Sequence, residues 1–134
     1  MAQSAAHSAL EGIKVVDLTH HIAGPYCTKL LADFGAEVIK VERPGSGDPA
    51  RRSGPFAGDV PDPDGSLPFL YLNTNKQSVT LDLKSDAGQD ILKQLVRDSH
   101  LLVENFRPGT LSNLSLSYEE LKSINPSLVL LSIS

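Results

Sequence analysis

Apolar positions along the chain fall into short continuous runs separated by stretches with a helical period. Ile13-Lys-Val-Val-Asp-Leu18 is β-branched and mostly apolar, which predicts a strand buried on both faces. Gly24-Pro25 follows, and proline suits the first turn of a helix, where its missing N–H costs nothing. Leu30, Leu31 and Phe34 keep the helical spacing, and Gly35 marks the helix end. Glu37-Val-Ile-Lys-Val-Glu42 then predicts a second strand. Residues 10–42 thus form a strand–helix–strand unit with a short, right-handed crossover.

The pattern breaks after Glu42. Eleven of the nineteen Gly and Pro residues lie between Pro44 and Pro68, which predicts a long surface loop of the kind that is functional or disordered. Residues 68–76 are ambiguous between a short helix and an extended segment. Ser78-Val-Thr-Leu-Asp-Leu83 alternates and predicts a third strand. Ser85 is placed to cap a helix whose inner face is Leu92, Leu95 and Val96. His100-Leu-Leu-Val-Glu104 predicts a fourth strand, and Pro108 opens a short turn or helix. Ser117-Tyr-Glu-Glu120 spells a capping box, with Leu121 and Ile124 facing inward and Pro126 stopping the helix. Ser127-Leu-Val-Leu-Leu-Ser-Ile133 predicts a fifth strand. The expected class is α/β, a mostly parallel five-stranded sheet with flanking helices. Residues 1–9 are expected to be a disordered leader. The last strand ends one residue before the carboxylate, without a helix to cover it. The expected domain over 10–134 is therefore incomplete at its C-terminus and part of a longer chain.

Composition narrows the function. The chain has 134 residues, one domain's worth, and 40% of them are apolar. Twelve basic against sixteen acidic residues give a net charge of −4, which argues against a general nucleic-acid or anionic-membrane binder. One cysteine, Cys27, excludes an internal disulfide framework. Four scattered histidines and that cysteine do not spell a structural metal site. Neither a secretory signal nor a membrane span is legible, so a cytoplasmic location is expected.

Chemistry is expected at the carboxyl ends of the strands, where the loops of such a sheet gather. There the sequence offers Arg43, Lys84 and Arg107, together with helix N-termini near Pro25 and Ser85. Cations and helix N-termini suit phosphates, and Phe106 and Ile22 are available to flank a planar ring. The implied ligand is an anionic nucleotide. The alternative is that the three cations are merely solvated. Gly45-Ser-Gly47 is no phosphate-cradling motif, and neither GxGxxG nor GxxxxGK[ST] is present. His20-His21 reads as structural or substrate-adjacent. Cys27 is either activated near a helix N-terminus or a buried inert thiol. Asp17 is placed to bond a loop backbone, and Asp59, Asp62 and Asp64 read as solubilising loop charges.

Taken together these loops resemble family III CoA-transferases, the CaiB/BaiF group of formyl-CoA transferases, carnitine CoA-transferases and α-methylacyl-CoA racemases. The resemblance lies in Leu10-Glu-Gly-Ile-Lys-Val-Val-Asp-Leu18, Ala23-Gly-Pro25 and the long stretch Ala32-Asp-Phe-Gly-Ala-Glu-Val-Ile-Lys-Val-Glu-Arg-Pro-Gly-Ser-Gly-Asp48. It continues in Asn75-Lys76, Ser78-Val-Thr-Leu-Asp-Leu-Lys84, Val103-Glu-Asn-Phe-Arg-Pro-Gly109 and Asn125-Pro126. It implies a Rossmann-like CoA-binding domain at the start of a subunit that interlocks with a second copy. By position it implies CoA contacts at Ile22, Ala23, Arg43, Leu81, Lys84, Asn105, Phe106 and Arg107. It assigns no catalytic residue, metal or permanently bound cofactor to this stretch, and coenzyme A and acyl-CoA are substrates.

The implied activity moves CoA from an acyl-CoA donor to a carboxylic acid, through an aspartyl intermediate whose aspartate lies beyond the fifth strand. By itself, then, the chain is expected to be inactive. The alternatives are an acyl-CoA racemase or epimerase of the same family, or a non-catalytic nucleotide-binding fragment. Two positions depart from the family pattern. Ile22 stands where formyl-CoA transferases have glutamine, and Asn113 stands where a basic residue is common.

Overall fold

The computed structural model describes residues 8–134. Five strands form one sheet: β1 (Lys14–Asp17), β2 (Glu37–Glu42), β3 (Gln77–Thr80), β4 (Leu101–Glu104) and β5 (Val129–Ser132). Their spatial order is β3-β2-β1-β4-β5, and all four pairings are parallel, so the sheet is wholly rather than mostly parallel. Five helices accompany it: α1 (Ala23–Asp33), α2 (Leu67–Leu72), α3 (Asp86–Arg97), α4 (Thr110–Asn113) and α5 (Tyr118–Ile124). None of them is long and apolar enough to cross a membrane.

Each sheet face has its own core, which is why the central strands read as continuous apolar runs. Val15 and Val38 meet Ala32 of α1 on one face. On the other, Val16, Val41 and Leu102 pack with Leu92 and Val96 of α3 and Leu121 of α5. Leu92, Val96, Leu102 and Leu121 are completely buried, and each contributes roughly 1.5–3 kcal/mol of hydrophobic transfer energy.

Several local expectations hold. Ser85 accepts from the Gly88 N–H at 3.1 Å and caps α3. Ser117 and Glu120 form the complete capping box of α5. The ambiguous segment at 68–76 begins as helix α2, because Ser66 caps it and Pro68 falls in its first turn.

Other expectations are corrected. The third strand stops at Thr80, not Leu83: Asp82 turns the chain by accepting from the Lys84 N–H at 3.0 Å. The long loop is ordered by two short 3-10 turns, Pro49–Arg52 and Ala57–Asp59. Arg51 secures it, with Nε and Nη2 donating to the two Glu42 oxygens at 2.7 and 2.8 Å. The same guanidinium reaches Asp64 at 2.9 Å and lies 3.8 Å over the Phe69 ring. Asp64 is therefore a structural partner and not just a solubilising charge. The leader expected at 1–9 lies outside the described residues up to His7. Ser8 is already in the fold, its carbonyl accepting from the Glu11 N–H at 3.1 Å.

Candidate functional site

The strand order switches sides between β1 and β4, because the connection after β1 runs toward β2 and β3 while β4 and β5 are added on the other side. Ligands of open parallel sheets bind at such a switch point, beyond the carboxyl ends of the strands. Here the loop after β1 carries Thr19-His-His21 and the loop after β4 carries Asn105-Phe-Arg107. Asn105 joins them. Its Oδ1 accepts from the His20 N–H and its Nδ2 donates to the His20 carbonyl, both at 2.9 Å. The His20 and Phe106 rings lie beside each other, 5.4 Å apart and tilted by 46°.

Beneath these loops lies a set of buried charges on the α1 side of the sheet. Lys40 is 1% exposed; its Nζ donates to the Thr19 carbonyl at 2.8 Å and sits 2.9 Å from Asp48 Oδ2. Asp48 Oδ1 accepts from the His21 and Ala50 N–H groups at 3.0 and 2.9 Å. One ion pair thus ties the β1 loop to the β2 loop, and His21 is held at a positive φ of 67°. Burial works against ionisation of Asp48, yet Lys40 and the backbone donors hold its carboxyl below the usual range. Asp17 bonds the Thr19 N–H at 2.9 Å, as expected, and also takes Thr28 and Lys76 at 2.6 and 3.0 Å. The Lys76 ammonium finds two more acceptors at 2.9 Å, the Pro25 carbonyl and Asn73 Oδ1. Three acceptors match the three N–H donors of an ammonium, while burial, opposed by Asp17, pushes Lys76 below its ordinary value.

Two hollows open above this layer. The larger, about 440 Å³, has walls from Leu18, Val41, Leu81, Leu83 and Phe106, with Arg43 and Lys84 among its lining residues. That volume is within the range of small-molecule sites. The smaller, about 230 Å³, is lined by His20, His21, Arg43, Ser46, Arg52 and Asn105, with Gly47 and Pro49. His20 and Arg43 line both. Burial, opposed by Asp48 and aided by Lys40 and Arg43, pushes the His20 imidazole below its ordinary value.

Of the residues expected at the site, Arg43, Leu81, Lys84 and Phe106 meet at the larger hollow, and Asn105 joins Arg43 at the smaller. Ile22, Ala23 and Arg107 line neither. Ile22 is 68% exposed at the start of α1, and Arg107 is exposed on the β4 loop. Cys27 is part-buried, and burial together with Asp17 pushes its thiol up, which removes the activated-thiol alternative. Arg43, Lys84 and Arg52 have no carboxylate partner among the described residues, whereas Lys40, Arg51 and Lys76 are all paired. The carboxylates lining the larger hollow are engaged, Glu42 by Arg51 and Ser78 and Asp82 by the Lys84 N–H. The arrangement suits anion and ring binding. Among the described residues no group of three or more His, Cys, Asp and Glu is arranged to hold a metal ion.

Sequence reasoning missed Lys40, Asp48, Lys76 and Arg52. For the first of these a signal existed. Val38, Lys40 and Glu42 share one face of a strand whose faces are both covered, so a lysine there needs a buried counter-charge.

A formyl-CoA:oxalate CoA-transferase from Afipia carboxidovorans is 49% identical over 125 residues, covering 93% of this chain and 28% of that protein. One from Rhodopseudomonas palustris is 50% identical over the same shares. The chain therefore spans a little over a quarter of the length of these relatives. Among solved structures, a CAIB/BAIF family protein from Brucella suis superposes with a TM-score of 0.86 at 37% identity, over 96% of this chain and 34% of that one. A Mycobacterium tuberculosis protein, Rv3272, gives 0.83 at 37% identity, over 93% of this chain and 33% of that one. With the match running over residues 10–134, the chain belongs to CoA-transferase family III.

Proposed function

We propose that this chain is the CoA-binding portion of an enzyme that moves CoA between an acyl-CoA and a carboxylic acid. The observation that carries the reading is the 440 Å³ hollow at the sheet's switch point, apolar along Leu18, Val41 and Leu81 and edged by the unpaired cations Arg43 and Lys84. Coenzyme A has the matching character, with an adenine ring, a long weakly polar arm and charged phosphates.

In the whole enzyme an aspartate beyond β5 attacks the thioester carbonyl and expels CoA thiolate, giving a mixed anhydride. The thiolate then attacks the aspartyl carbonyl, releasing the donor acid and leaving an enzyme thioester. The acceptor carboxylate repeats the exchange and departs as the new acyl-CoA. The residues of this chain hold CoA through these steps and contribute no bond-making group. Formyl-CoA and oxalate, named for the relatives, are the reference substrate pair. The same reading has the longer protein working in the cytoplasm as an interlocked homodimer. Exposed apolar side chains on α1 and α2, among them Tyr26, Leu30, Leu70 and Tyr71, support further polypeptide covering that side.

Calorimetric titration of CoA into the protein tests the reading. Saturable binding is expected, about tenfold weaker in Arg43→Ala and in Lys84→Ala. An absence of binding, or affinity indifferent to both substitutions, would sink it.

A further inference from the structure

The smaller hollow has a composition unlike the rest of the surface. Two guanidinium groups, Arg43 and Arg52, and two imidazoles, His20 and His21, line its 230 Å³, and no carboxylate does. The nearest negative charge, Asp48, is completely buried behind the wall and held by Lys40, so it does not answer the arginines. Arg52 is not simply extended into solvent. Its Nη1 donates to the Ser46 carbonyl at 2.9 Å, which folds the guanidinium over the Arg43–Gly47 turn. Its remaining N–H donors have no partner among the described residues. Arg43 and His20 belong to both hollows, so a ligand lying in the larger one extends into the smaller without leaving the protein.

Paired guanidinium forks match the oxygens of a phosphate, which a single ammonium meets only as a point charge. We propose that the smaller hollow is a phosphate seat, in which Arg52 joins Arg43 in gripping one phosphate group of the nucleotide whose apolar part occupies the larger hollow. The inference rests on the reading of the larger hollow as a CoA site and adds to it a contact residue, Arg52, and the group it takes.

The test compares the unmodified protein with Arg52→Ala and Arg52→Lys, using CoA, dephospho-CoA and inorganic pyrophosphate as probes. The side chain is exposed, so neither substitution disturbs the core. CoA binding about tenfold weaker in Arg52→Ala, and partly restored in Arg52→Lys, supports the seat. If dephospho-CoA binding is indifferent to Arg52, the group held is the 3′-phosphate; if it weakens equally, the group is the diphosphate. CoA bound equally well by the unmodified protein and Arg52→Ala overturns the inference and leaves the CoA reading standing. If the unmodified protein binds no CoA, the CoA reading fails and pyrophosphate decides: binding that depends on Arg52 sustains the phosphate seat, and binding that does not ends it.

Discussion

Asn105 grips the backbone of His20 on both sides, its carbonyl oxygen taking the N–H and its amide donating to the C=O, each at 2.9 Å. One amide side chain thereby copies the pairing of a neighbouring strand just where β1 and β4 end and their own ladder stops. The two loops that frame the hollows are set relative to each other by this contact.

Asn105→Ala removes both bonds. Unfolding free energy is expected to fall by about 1–2 kcal/mol, at roughly 1 kcal/mol per net hydrogen bond. CoA affinity is expected to fall at least about fivefold, because His20 and Phe106 both line the larger hollow. Urea denaturation and calorimetry on the same protein separate the two effects. Unchanged affinity would show that the loops are set by something else.

Asp48→Asn keeps the acceptor for the His21 and Ala50 N–H groups and leaves Lys40 buried without a counter-charge. Breaking a buried pair from one side costs about 3–5 kcal/mol. Adding Lys40→Met is expected to recover more than half of that loss, since the orphaned charge is gone. Equal stabilities for the single and double variants would show that the pair is not coupled.

Acid should weaken the fold in a defined window. Burial opposes ionisation of Glu42, but the hydrogen bonds from Arg51, the Asp48 N–H and Ser78 prevail and bring its carboxyl from 4.5 to about 2. A carboxylate depressed in the folded state adds stability that is whole above pH 4.5 and disappears as pH falls through 2. After allowance for solvent screening the contribution is about 2 kcal/mol. Asp48 is displaced in the same direction and adds to the slope. Thermal melts between pH 7 and 2 should show it, and Glu42→Gln should flatten the acid limb. A limb unaltered by that substitution would place the titration elsewhere.

Gly88 holds the Leu81–Lys84 turn against α3. A Cβ at this position would stand 2.0 Å from the Asp82 carbonyl oxygen, a backbone atom that cannot swing aside. Gly88→Ala is expected to cost about 1–3 kcal/mol by overpacking and to displace Leu81 and Lys84 from the larger hollow. A stable variant with normal CoA affinity would contradict this.

The strands and helix starts were legible because local signals fix them. Val15-Val16 and Val38-Ile39 have the branched apolar character of buried strands, and Ser85 and Ser117 sit at the required offsets from the residues they cap. The end of β3 was not, since the Asp82 turn competes with a strand pattern that alternates through Leu83. Of the site, the cations on the loops were visible in sequence. The ion pairs below were not, because Lys76 and Asp17 lie 59 positions apart and only the folded sheet brings them together. Arg51 and Arg52 are neighbours with opposite fates, one spent on Glu42 and the other resting on the Ser46 carbonyl without a carboxylate, and nothing in the sequence separates them.

That division between tied and free cations also bears on how such a protein can change. Lys40, Arg51 and Lys76 answer to the fold, and replacing any of them strands a buried or part-buried carboxylate. Arg43, Arg52 and Lys84 answer no carboxylate within the described residues, Arg52 holding only the Ser46 carbonyl, and can be exchanged with little harm to the scaffold. A lineage, or a directed library, that samples only these three positions explores new ligands from a framework that stays folded throughout, so selection on recognition proceeds without first repairing stability.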